Sequence, residues 1–428
     1  MRRLAAVLSA LTLLAVACSD DSTSTTQASV TTGASATTRT ATTQTATAQA
    51  DTTTTPVTTT TPATTTAPTT TVPQPDLLPD ARSRQEVPWG DVDQSWALAL
   101  YSTVAGYSDL VQVDEEMVIA YLVAPDGSPY EITSWPQSEA PFGIYDVRPD
   151  GQAALLAAGS DPVLLDLTTG ATSQPPIPDD TMLFGFTRPT GRDYLALTFD
   201  SVIEMFSGGG NHMATLGEFI EEEDFHFGPQ RPWVFAPTGL SLVVNGLGGP
   251  AHVSNQGNHL RDLETPGELC HVLAWWNDID VLMRCLTPYE GRNVFTLWLV
   301  DSEGMYGPMQ VTTAADAGSD PIMEGFINAV QGGNRLFIQG FVAAGSGWYP
   351  IYRMEQGVGP VALGNEVAGQ LIAAGPSTVT AHRLGCCGEI YGALITYDHD
   401  GNEIARLDAP EGYFGVVAAH GVGAPAVP

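Results

Sequence analysis

The chain reads as an all-β protein in which one four-stranded antiparallel sheet recurs around a ring. Three observations predict this. Residues 142–178 hold four short apolar runs, Gly143–Val147, residues 153–157, residues 162–167 and a last run after Gly170, parted by turn residues. A strand, a turn ending in glycine and a second strand then recur at Gly127, Gly170, Gly209, Gly257, Gly304, Gly357 and Gly401, at intervals of 39 to 53 residues. The C-terminal end carries a surplus apolar run, GYFGVVAA at 412–419. A sheet with two apolar faces cannot bury both alone, so copies stack; seven copies at this period predict a seven-bladed β-propeller.

In chain order, Met1-Arg2-Arg3 is a basic start followed by an apolar run over residues 4–16. Thirteen residues are short for a membrane span and fit a secretory signal core. Cys18 directly follows Ala15-Val16-Ala17. This resembles a bacterial lipobox, which implies lipidation of Cys18 as the first residue of the mature chain. Ala15 departs from the usual leucine, and ordinary cleavage near Ala17 is the competing reading. Residues 19–79 are Thr, Ser, Ala and Pro with few large apolar side chains, a composition that cannot offset folding entropy and predicts a disordered tether. At ~3.3 Å per residue its reach is at most about 200 Å. Such stalks are often O-glycosylated. Residues 80–428 form the propeller.

Within the repeats a second series stands between the hairpins: DVRPDG at 146–151, FTRPTG at 186–191 and FAPTG at 235–239. Each links an inner strand to the next one outward, and QGGN at 331–334 keeps the rhythm without the motif. The series resembles the F-S-P-D-G repeat of TolB-like and WD40-like propellers, over most of residues 88–420. The whole plan resembles TolB-like lipoproteins of high-GC Gram-positive bacteria, with Trp96, Tyr101, Tyr121, Tyr130 and Trp135 among the distinctive positions of the first blade. That resemblance implies a binding or scaffold module held on the outer face of the cell membrane, outside the cytoplasm. The first blade lacks an inner strand of its own, and the run at 412–419 is predicted to supply it, closing the ring and leaving no open sheet edge.

Sixteen basic residues, all arginine, face 48 acidic ones, for a net charge of −32. Such a charge repels phosphate backbones and argues against nucleic acid as a partner. It suits solubility, a basic envelope protein partner or bound calcium, the one cofactor with a candidate place here. The densest acidic cluster is Glu221, Glu222, Glu223 and Asp224, on the connection between the third and fourth blades. The reading there is a solvated loop, with a cation or basic-partner site as the alternative. The run DHDGNE at 398–403 has the look of a calcium loop, but Ala409 stands where an acidic ligand is needed, so it reads as a hairpin turn.

Cys270 and Cys285 flank a hairpin; with its turn at Asn277-Asp278 the two stand directly opposed, and an exported chain should oxidise them. Cys386 and Cys387 are adjacent, open to a vicinal disulfide, an intermolecular bond or free thiols. A redox role would require that pair to cycle. The sequence holds no GxSxG, HExxH or nucleotide-binding glycine pattern, so no catalytic residue is assigned. His226, His271 and His382, on three different blades, could meet at the channel mouth. Tryptophans on strands should pack between blades; aromatic platforms would instead favour a glycan-binding or glycan-active envelope protein.

Overall fold

The computed structural model describes residues 80–105, 116–158, 161–178, 181–219, 231–246, 248–267, 269–315, 326–340, 349–355, 358–364, 367–383, 392–408 and 413–424. Within them lie seven sheets, six antiparallel throughout and one with an added parallel strand at its rim, and the molecule is a seven-bladed β-propeller. Blade 2 shows the plan: Gly143–Val147 at the axis, then Ala153–Ala158, Asp161–Asp166 and Thr172–Ser173 at the rim. The inner strands of blades 3 to 7 are Thr181–Phe186, Trp233–Phe235, Cys270–Trp275, Phe326–Gly332 and Gln370–Ala374. Blade 1 takes its inner strand from the other end of the chain. Tyr413–Gly421 pairs antiparallel with Ala97–Ala105, from Ala97 opposite Gly421 to Ala105 opposite Tyr413. The surplus C-terminal run therefore closes the ring.

The period-two pattern explains why sheets stack. In the second strand of blade 2, Ala153 and Leu155 enter the cluster shared with blade 3, while Ala154 and Leu156 enter the one shared with blade 1. Ala97–Ala105 does the same: Leu98 and Leu100 face blade 2, and Ala97, Ala99 and Tyr101 face blade 7. Seven such clusters fill the seven gaps. The leucines at 98, 100, 155 and 156 are fully buried, each stabilising by about 1.5–3 kcal/mol. No blade keeps this burial if its neighbour is absent.

Rim turns lock against the preceding blade. Gly127 has φ +83°, and a Cβ there would lie 2.7 Å from Ala405 Cβ on the outer strand of blade 7. Only glycine fits both the left-handed backbone and that approach. In blade 3 the left-handed turn position is Gly210, φ +81°, one residue beyond the expected Gly209, because the turn is paired from Ser207 to Asn211. Residues 356 and 357 lie outside the described ones. Blade 1 has an unforeseen fifth strand, Arg82–Ser83, parallel to the rim strand at Tyr130 and Glu131. Arg84 Nη1 donates to Ile132 O at 2.9 Å and continues this attachment.

The closure yields a direct prediction. A chain ending at Pro410 should lose the cooperative melting transition of the full chain, since it exposes two inter-blade clusters at once. The expected loss is above about 4 kcal/mol, read by calorimetry. An unchanged melting temperature would contradict closure by residues 413–421.

Candidate functional site along the propeller axis

The inner strands are not regular. Extra residues are inserted opposite their partner strands at Tyr145, Leu273 and Ile372 in blades 2, 5 and 7, and the closing strand skips Val417. A bulge frees backbone groups from the ladder, and buried ones must be satisfied elsewhere. Here the neighbouring blade does it. Asn245, fifth residue of Ser241–Gly246 in blade 4, accepts from Val272 N at 2.9 Å and donates to Val272 O at 3.1 Å. Gln339, fifth in Arg335–Gly340 of blade 6, accepts from Leu371 N at 2.8 Å. His382, fifth in Thr378–Arg383 of blade 7, donates through Nε2 to Val416 O at 2.9 Å. Each captured residue immediately precedes the bulge of the next blade.

Blades 2 and 3 solve the problem with charge. The Asp146 carboxylate accepts from Phe186 N at 2.7 Å and from Arg188 Nη2 at 2.8 Å and Nη1 at 3.2 Å. Arg188 also donates to Phe186 O and, at 2.8 Å, to Ala424 O beyond the closing strand. The motifs DVRPDG and FTRPTG thus do more than turn the chain.

Arg231 is the most informative residue. It precedes the inner strand of blade 4 yet donates to Ala329 O at 2.9 Å and to Asn328 Oδ1, both on the inner strand of blade 6. To pass blade 5 its side chain must cross the central channel. The residue is 6% exposed, and among the described residues no carboxylate lies within 4.0 Å of it. Burial pulls its guanidinium down to about 9, with the Asp146 charge opposing that fall. It stays cationic at neutral pH. His420, 3% exposed on the closing strand, completes the group. Its Nδ1 donates to Gly421 O at 2.8 Å, and its Nε2 is buried without a hydrogen-bond partner. Burial depresses its basicity, and the nearby charges of Asp146, Arg188 and Arg231 also act on it. Among the described residues this axial group holds two guanidiniums, one carboxylate and an imidazole whose basicity burial depresses.

The sites expected from sequence fall as follows. Cys270 and Cys285 are joined by a disulfide, with Cα atoms 4.1 Å apart. Their facing register arises differently from the expected Asn277-Asp278 turn. Trp276 N pairs with Asp280 O around a longer turn, whose Ile279 and Asp280 amides are capped by Asn277 Oδ1. The bulge at Leu273 then restores the register. Of the three histidines expected at the channel mouth, two lie among the described residues. His382 is held by Val416 O, His271 stands opposite Arg284 inside blade 5, and His226 lies outside the described residues. Cys18, Glu221, Glu222, Glu223, Asp224, Cys386 and Cys387 also lie outside them. The Asp398 carboxylate serves its own hairpin, accepting from Asp400 N and Asn402 N at 2.9 Å each. Among the described residues no three His, Cys, Asp or Glu side chains group to hold a metal. Trp96, Trp233 and Trp275 are buried, and Trp89, Trp135, Trp276 and Trp298 half-buried. Trp275 packs toward blade 4 while Trp276 faces blade 6.

One surface patch stands out. On the face carrying the first-to-second and third-to-fourth strand turns, blade 5 exposes Met305 (71%), Tyr306 (47%) and Ile279 (37%). Ser302 N bonds Ile279 O at 2.9 Å and Tyr306 OH bonds Asp280 Oδ1, so the two turns form one platform. Exposed Asp278 and Glu303 border it.

No protein-family model and no curated protein matches the chain. Solved structures to which it is similar include BamB from Moraxella catarrhalis, 14% identical over 73% of this chain and 88% of that one, TM-score 0.35. A putative TolB from Agrobacterium tumefaciens is 13% identical over 67% and 88%, TM-score 0.35. The β-propeller domain of the Trilobed protease from Pyrococcus furiosus is 11% identical over 73% and 95%, TM-score 0.44. These likenesses carry no function to this chain; the propeller stands on its strand order.

The stitch by His382 is testable. Burial holds its imidazole at about 4, below the ordinary 6.5. The unfolded chain therefore takes up the proton first, so this stabilisation is whole above pH 6.5 and lost as pH falls toward 4. His382→Ala should cost about 1–3 kcal/mol at neutral pH by orphaning Val416 O. His382→Gln keeps a donor and should lose less stability than the native chain on acidification. Denaturant titrations at two pH values read both; an alanine variant as stable as the native chain would rule out the stitch.

Proposed function

We propose that this protein is a binding or scaffold module for a protein partner of the cell envelope, tethered by lipid at Cys18. The observation that carries this reading is the blade 5 platform. Met305, Tyr306 and Ile279 are exposed together on a rigid ring, bordered by carboxylates on a chain of net charge −32. Methionine and aromatic residues are enriched where proteins bind proteins, and an acidic border favours a partner with a basic rim. The half-buried or buried state of the described tryptophans gives no comparable support for a glycan platform.

A photo-crosslinking residue at position 305 should capture one discrete envelope protein in intact cells. Ile279→Asp combined with Tyr306→Ala should lower that capture at least tenfold, about 1.4 kcal/mol, while the chain still melts in one cooperative transition. Capture unaffected by the pair would overturn the assignment of this face. For the tether, Cys18→Ala should release the protein from the membrane fraction into the medium, and unchanged retention would remove lipidation from the reading.

A further inference from the structure

We propose that the propeller axis binds a small oxyanion bearing an O–H group, of the phosphate class, between Arg231 and His420. This is independent of the protein-binding reading above.

Asp146 already accepts from Phe186 N and from both Nη atoms of Arg188, so its oxygens are committed. Arg188 in turn spends those nitrogens on Asp146, Phe186 O and Ala424 O. Among the described residues Arg231 meets only neutral oxygens, Ala329 O and Asn328 Oδ1. Counted over the described residues, the buried group thus carries one positive charge more than it balances, inside a protein whose net charge is −32. A buried charge without a counter-ion is costly and calls for one.

His420 fixes the chemistry of that counter-ion. Because Nδ1 carries the proton donated to Gly421 O at 2.8 Å, the neutral ring presents Nε2 as a lone-pair acceptor, buried and unpartnered. The missing group must therefore accept from a guanidinium and donate to an imidazole. Chloride, acetate and sulfate offer acceptors alone at neutral pH. Hydrogen phosphate and a singly protonated phosphate monoester offer both. His420 and Arg231 come from blades 1 and 4, so their joint ligand must occupy the channel.

The test uses the full chain, with inorganic phosphate, methyl phosphate and sulfate as probes at matched ionic strength and pH 7. Calorimetry should show saturable phosphate binding at least tenfold tighter than sulfate. His420→Phe should make the two anions equal, and Arg231→Gln should abolish both. If Arg231→Gln does not fold, imidazole nitrogen NMR on the native chain decides, because phosphate should shift the His420 Nε2 resonance and sulfate should not. Methyl phosphate binding as well as phosphate would place a phosphate monoester on the axis. Its exclusion would leave inorganic phosphate; both support the site. Equal binding of phosphate and sulfate to the native chain, or no saturable binding with an unmoved Nε2 resonance, would overturn it and leave solvent as the occupant.

Discussion

Between neighbouring blades the decisive contact is a single side chain of one sheet closing hydrogen bonds on the backbone of the next. Apolar clusters press the blades together, but such attraction is non-directional and would tolerate sliding. A buried amide freed by a bulge does not tolerate it, because losing its partner costs the full desolvation penalty, about 1–3 kcal/mol. Asn245 on Val272, Gln339 on Leu371 and His382 on Val416 therefore set the angular register of blades 5, 7 and 1. The bulges create the need, and the fifth residue of the adjacent second strand answers it.

The same need is met in blades 2 and 3 by ions. Asp146 holds Phe186 N, and Arg188 neutralises Asp146 and reaches Ala424 O. Charge in the interior is dearer than an amide, and it is tolerated when the ion is both paired and hydrogen-bonded. Arg188 and Asp146 satisfy that condition. Arg231 satisfies it only in hydrogen bonds and not in charge, which is why the axis, and not the rim, is where this acidic protein has an unspent attraction for an anion.

The repeat was legible because it is written in turns. Glycine is required wherever a rim turn is left-handed and touches the preceding blade, so Gly127, Gly257 and Gly401 mark the period regardless of what lies between. The closing strand was legible as an inner strand without a sheet. The axial group was not. Equivalent positions hold Asn245, Gln339 and His382, three residue types that share a hydrogen-bonding task and nothing else. Arg231 reaches a partner 98 residues away along the chain, a separation no local pattern encodes. The cysteine register shows the opposite hazard. An assumed two-residue turn gave the right opposition of Cys270 and Cys285, because a longer turn and a bulge at Leu273 offset each other.

Closure and the axial site are one event. His420 lies on the strand that completes blade 1, Ala424 just beyond it accepts from Arg188, and Val416 on the same strand accepts from His382. Before that strand docks, Arg188 lacks one acceptor, His420 is not at the axis, and Arg231 faces an open channel. A ligand that needs Arg231 and His420 together can bind only the closed ring, so its free energy of binding adds to the stability of closure by mass action. The unbalanced charge then has a physical logic. It weakens the empty ring slightly at its centre and makes the ring's hold on its own last strand depend on what occupies the axis.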